Sequence, residues 1–193
     1  MSRTNITVDR SVFQEFSSQV KRQNKSLFAS ANESLLAVSK IYAEGGTAPD
    51  IYRLWRLASV LKQIDVITLP SDFVDELLGK LYEMDRASLL QMFAKMGSGL
   101  VGLLRITADD VRSLNEIAKD FMLILPLKKL KLTEADPDSI EIDMVGAGGT
   151  FVSAECTAEF ITALLNGYGY TETKREIGLG TVRMWATRRT SFR

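Results

Sequence analysis

The chain has 193 residues, 46% hydrophobic and 25% charged, which suits one large or two small soluble globular domains. Its 24 basic and 24 acidic side chains cancel, so the whole molecule has no net attraction to a polyanion. It has no histidine and a single cysteine, Cys156, which excludes Ser–His–Asp and Cys–His catalysis, His-based and Cys/His zinc sites and an intrachain disulfide.

A lone cysteine fits a reducing, cytoplasmic setting. No basic-then-apolar leader is apparent, and the longest apolar run, FMLILPL, is interrupted by Pro126, so no membrane is expected. Charge is uneven along the chain: the first thirty residues hold Arg3, Arg10, Lys21, Arg22 and Lys25 against Asp9 and Glu15.

In Arg3-Thr4-Asn5-Ile6-Thr7-Val8 the pattern has period two. It predicts a short strand with Thr4, Ile6 and Val8 on one face and Arg3, Asn5 and Thr7 on the other. Asp9 is a suitable N-cap, and Val12, Phe13, Phe16 and Val20 follow at helical steps, predicting a helix from Arg10 to Gln23. Asn24 tolerates the left-handed conformation that closes a helix. Ser26 can cap a second helix, with Leu27, Ala31, Leu35, Val38 and Tyr42 as its stripe.

The stretch EGGTAPD, Glu44–Asp50, reads as a linker. Beyond it, 50–66, 71–84 and 87–104 read as helices, the last apolar and glycine-rich. Thr107-x-x-Asp110 opens another that ends near Leu125, before Pro126. The tail then changes character. Two hairpins, LKKLKLT/SIEIDMV and YTETKREI/TVRMWATR, flank the helical stretch SAECTAEFITALLNG, predicting a β-β-α-β-β unit over 126–190.

The strand NITV, the cap Asp9, the helix core VFQEF and the turn and second helix NKSLFASANESLL resemble the ribbon–helix–helix DNA-binding family, the Arc- and MetJ-type repressors. The resemblance spans residues 3–42, with Asn24-Lys25-Ser26 where the family often has a Gly-Lys-Ser-like turn. It implies a homodimer whose two strands pair into an antiparallel ribbon for the major groove. The base contacts would then be Arg3, Asn5 and Thr7, and the phosphate contacts Lys21, Arg22, Lys25, Ser26 and Leu27 at the start of the second helix. Pairing would also cover Ile6 and Val8, which an isolated strand leaves bare.

Other motifs carry less. ITLPSDFVDEL (67–77) aligns without a gap on ITVDRSVFQEF (6–16), as a degenerate second unit or as a loop and helix start. Gly146–Thr150 lacks the spacing of a phosphate loop and reads as a turn. Cys156 reads as a core thiol, and Tyr168, Tyr170 and Trp185 as core aromatics. Asp136, Asp138, Glu141 and Asp143 read as a solvated turn rather than a metal site.

The sequence therefore predicts an α+β protein. An N-terminal ribbon–helix–helix domain (1–44) precedes a sensor or oligomerisation domain (45–193), helical over 48–125 and β-β-α-β-β over 126–190. The expected function is a cytoplasmic, homodimeric transcriptional regulator bound to double-stranded DNA, with a small-molecule effector and no cofactor, metal or catalytic residue. The alternative is an α+β ligand-binding or assembly protein that uses its N-terminal segment only as a dimerisation clasp.

Overall fold

The computed structural model describes residues 5–63, 69–122, 127–136 and 138–189. The chain divides into two units, Met1–Arg56 and Leu57–Arg193.

The first unit contains α1 (Arg10–Arg22), α2 (Leu27–Ala43) and the start of α3 (Ala48–Gln63). α1 begins where the spacing predicts, although Asp9 makes no side-chain cap bond. Asn24 closes the turn with φ 53°, and Ser26 caps α2 by accepting from the Ala29 N–H at 3.4 Å. α1 and α2 bury only Val20 and Ser30, and Val12, Phe13, Phe28 and Leu35 remain exposed.

Arg3 and Thr4 of the predicted N-terminal strand lie outside the described residues, and its described part, Asn5–Val8, is not a strand. Asn5–Asp9 have no regular structure, Ile6 and Val8 are exposed, and every described strand lies between Lys129 and Arg188. Alternation alone supplies no ladder hydrogen bonds, and the expected pairing is with a second copy of the chain.

The second unit is α+β. α4 (Ser71–Leu104) is followed by α5 (Val111–Phe121), β1 (Lys129–Asp136), β2 (Ser139–Val145), α6 (Phe151–Gly167), β3 (Tyr170–Gly178) and β4 (Thr181–Arg188). The β-β-α-β-β order is the one predicted. The strands form one antiparallel sheet in the order β1-β2-β4-β3.

The alternation of β2 and β4 determines which face is covered. Ile140, Ile142 and Met144 pair with Ala186, Met184 and Val182, and all six are buried beneath α6 through Ala154, Ala158, Ile161 and Leu165. The opposite face is polar. There Arg183 pairs with Glu141 at 2.8 Å and Lys129 with Asp143, as expected of an antiparallel sheet wet on one side.

The two helices predicted over 71–84 and 87–104 are one element with a break. Asp85 is non-helical (φ −157°, ψ 87°), and its Oδ1 accepts from the Ser88 N–H at 2.9 Å, recapping the helix. α4 lies against α6 at very close range. A Cβ on Gly97 would fall 2.3 Å from the Phe160 carbonyl oxygen, so only glycine fits there. By length and composition α4 is also apolar enough to cross a membrane, contrary to the expectation from the sequence, and 17% of its apolar window is buried.

Candidate functional site

α5 is held over β1. Asp110 caps it by accepting from the Ser113 N–H at 2.7 Å, and Arg112 makes two 2.6 Å bonds to the Glu134 carboxylate. Val111, Leu114 and Ile117 give α5 a buried apolar face. Behind it, Tyr168 donates its buried hydroxyl to the Ala108 carbonyl at 2.8 Å, fixing the turn that leads into the helix.

Between α5, the last turns of α4, α6 and the β1–β2 edge lies a cavity of about 330 Å³. α4 contributes Leu100, Leu103 and Leu104, and α6 contributes Phe160, Ile161, Leu164 and Leu165. The sheet side supplies Leu130, Leu132, Ile142 and Met144, and α5 supplies Leu114, Ile117, Ala118 and Phe121. Among the described residues Asn115 is the one polar residue on the wall, and its polar atoms contribute no surface to the cavity.

A second cleft of about 300 Å³ shares Leu127, Met144, Phe160 and Ile161 with the first, so these four side chains form a partition. The second cleft is bounded by Phe93, Met96, Thr157 and the Gly146–Gly148 backbone.

The other motifs have structural explanations. The Gly146–Thr150 loop spends its N–H groups internally: Gly146 and Ala147 donate to the Gly180 carbonyl, and Gly149 donates to Asp75 at 2.8 Å. Ser153 donates to the other oxygen of Asp75, and Thr150 caps α6. A Cβ on Gly148, where φ is +84°, would fall 2.2 Å from Ser153 Cβ. The loop is thus a clasp between α4 and α6 rather than an anion cradle.

Cys156 is fully buried with Leu78 and Leu89. Burial first, and then the charge of Glu155, push its thiol up to about 11. No group of three potential metal ligands occurs among the described residues, and Asp143 and Glu141 are paired as above. Trp185 lies on the polar face of the sheet, with Lys174 at 4.5 Å and Arg183 at 5.4 Å from its ring, so it is not a core residue.

Of the residues assigned to base contacts, Arg3 lies outside the described residues, while Asn5 and Thr7 are exposed on the irregular segment. Lys21, Arg22, Lys25 and Ser26 are exposed around the α1–α2 turn, and Leu27 is half-buried. The sequence reading missed the cavity wall because its leucines and phenylalanines follow the ordinary spacing of core residues. Asn115, a polar residue beside the apolar Leu114 and Ile117, was the one local irregularity.

No family model matches the chain, and no curated protein does. Solved structures of H-NOX proteins do. An H-NOX protein mutant from K. algicida in its Fe(II) unliganded state matches with a TM-score of 0.48 and 11% identity, over 66% of this chain and 77% of that one. A mutant H-NOX from T. tengcongensis gives 0.40 and 14%, over 66% and 82%. An H-NOX structure from a study of heme distortion gives 0.43 and 16%, over 68% and 84%. With TM-scores below 0.5, the likeness says nothing of what this chain binds.

The matches are H-NOX proteins, not ribbon–helix–helix repressors. With no strand at Asn5–Asp9, the resemblance to that family is overturned. The DNA-bound regulator falls with it, and no observation bears on the expected base contacts (Arg3, Asn5, Thr7) or phosphate contacts (Lys21, Arg22, Lys25, Ser26, Leu27) themselves. The error arose because a short alternating stretch followed by two capped helices is a degenerate pattern, which a solitary segment satisfies equally well.

The donors of this chain bear on whether it could hold a heme. Axial ligands to heme iron are histidine, thiolate, methionine or tyrosine. The chain has no histidine, Cys156 belongs to a different cluster, and the Tyr168 hydroxyl is committed to Ala108. Only the Met144 thioether reaches the cavity wall, and no charged side chain lines it to meet a carboxylate. The donor set does not fit heme.

Proposed function

We propose that residues 57–193 form a binding module for small apolar molecules, with the cavity between α5, α6 and the sheet as its site. The observation that carries this reading is a cavity of about 330 Å³ whose wall exposes no polar surface. Protein interiors are packed about as densely as organic crystals. A void of this size lined only by apolar surface loses dispersion contacts that an apolar occupant would restore. A smaller apolar cavity of about 150 Å³ stays dry and admits benzene. Ligand pockets begin near about 300 Å³. The site therefore suits a compact hydrocarbon-rich molecule of one or two rings.

The polar lining that catalysis would need is absent from this wall. Binding coupled to stability is the function the geometry supports, as in a sensor whose ligand sets the rigidity of its domain. The test is thermal unfolding of the full chain with naphthalene or indole. Ligand at about 100 times its Kd should add about 2.7 kcal/mol. Ala118→Phe, which fills the cavity from α5, should remove that gain while leaving the unliganded protein folded. An unchanged transition at saturating ligand, or an equal gain in Ala118→Phe, would refute the reading.

A further inference from the structure

Leu127, Met144, Phe160 and Ile161 line both the apolar cavity and the second cleft, so one layer of side chains separates about 330 Å³ from about 300 Å³. The two spaces differ in character. The inner one exposes no polar surface, whereas the outer one opens more widely to solvent and exposes a little polar surface beside its apolar wall. Among the described residues no charged side chain lines either space. The layer between them is uneven. Phe160 and Ile161 are carried by α6, but Met144, on β2, is unbranched, with a flexible thioether that adapts its shape to what it packs against. A methylene chain is narrower than a ring, so passing it beside a turned Met144 displaces less of a close-packed layer than passing a ring would.

We propose that one ligand occupies both spaces: an arene bearing an unbranched alkyl chain with an uncharged polar end. Its ring sits in the inner cavity, its chain crosses the partition beside Met144, and its polar end lies in the outer cleft. The proposal rests on the binding function argued above and adds the length and direction of the ligand. The direction follows from solvation. A polar end left against the inner wall would be desolvated without a partner, and in the outer cleft it meets water. A charged end would gain no ion pair from either wall.

The test uses the full chain, as wild type and as Thr157→Phe, with toluene and 6-phenyl-1-hexanol as probes. Thr157 lines the outer cleft and not the inner cavity, so the phenylalanine fills the one and leaves the other open. Dissociation constants are measured by calorimetry. Comparing the ratio of the two probes between the two proteins cancels the cost of removing each from water. Each buried methylene strengthens binding about fourfold, so about two of them held in the outer cleft amount to roughly tenfold. The preference for 6-phenyl-1-hexanol over toluene should fall by that factor in Thr157→Phe, with the toluene affinity unchanged. Should Thr157→Phe fail to fold, Met96→Trp blocks the same cleft from an exposed position on α4. If both probes bind and their ratio is the same in the variant, the chain does not cross and the proposal is wrong while the binding function stands. If toluene binds the wild type and 6-phenyl-1-hexanol does not, the partition is closed and the proposal is likewise wrong. If neither binds the wild type, the binding function itself fails.

Discussion

Arg86 and Glu155 form an ion pair at 2.5 Å across the α4–α6 interface, one residue after α4 breaks at Asp85. Tyr82, on the other side of the break, donates to the second oxygen of the same carboxylate at 2.7 Å. One acidic side chain on α6 thus holds both halves of the kinked helix. The hydrogen bond from Arg86, opposed by burial and reinforced by the bond from Tyr82, keeps the Glu155 carboxyl below the usual range.

A folded-state pKa below the unfolded value means that Glu155 contributes stability above the unfolded carboxyl pKa, and that this is lost as pH falls through the folded one. Glu155→Gln should therefore destabilise the protein by about 1–3 kcal/mol at pH 7. The difference from the wild type should shrink as pH falls below about 4.5. Urea titrations at pH 7 and pH 4 measure this. A constant difference at both pH values would show that the carboxylate is not the stabilising species.

The contact between Gly97 and the Phe160 carbonyl determines how closely α4 approaches α6. Gly97→Ala should cost about 1–3 kcal/mol, because the two helices must separate. Gly99, whose Cβ would meet nothing within 4 Å, is the control. Gly99→Ala should gain about 0.5–1 kcal/mol from helix propensity alone. Equal effects at the two sites, read from thermal melts, would contradict the packing described.

Cys156 should be inert in the folded protein, because its thiol is buried and its pKa is raised to about 11. Ellman's reagent at pH 8 should label none of it natively and one thiol per chain in guanidinium. Rapid native labelling would mean that the Leu78–Leu89 cluster opens readily.

Much of this architecture could be read from the chain. The alternation of Ile140, Ile142 and Met144 gave β2 its inner face, and Asp110 and Ser26 marked helix starts because a cap acts within three residues. Contacts between residues far apart in sequence left no such trace. Asp75 meets Ser153 and Gly149, and Glu155 meets Tyr82 and Arg86, across more than sixty residues, with nothing local to announce either pairing. The cavity was hidden for the same reason: Leu103, Leu132 and Leu164 each look like core, and only the assembled unit shows a space between them. The N-terminal misreading is the converse case, in which a complete local alternation takes no regular structure over Asn5–Asp9.

Arg112 and Glu134 clamp the N-terminal end of α5 onto β1 at the edge of the cavity. The Arg112 side chain is mostly exposed, so Arg112→Ala should scarcely change the melting temperature. It should instead loosen the helix that closes the site. Stopped-flow binding of an apolar fluorophore should then show faster association and faster dissociation with a similar ratio. Unchanged rates would mean that ligand enters elsewhere.

Xenon tests the apolar cavity within residues 57–193 most directly, because it binds through dispersion alone. Crystals of the full chain under xenon pressure should show the gas between Phe121 of α5 and Ile161 of α6, and no xenon there in Ala118→Phe. Xenon found only at the protein surface, or side chains already filling that volume, would contradict it.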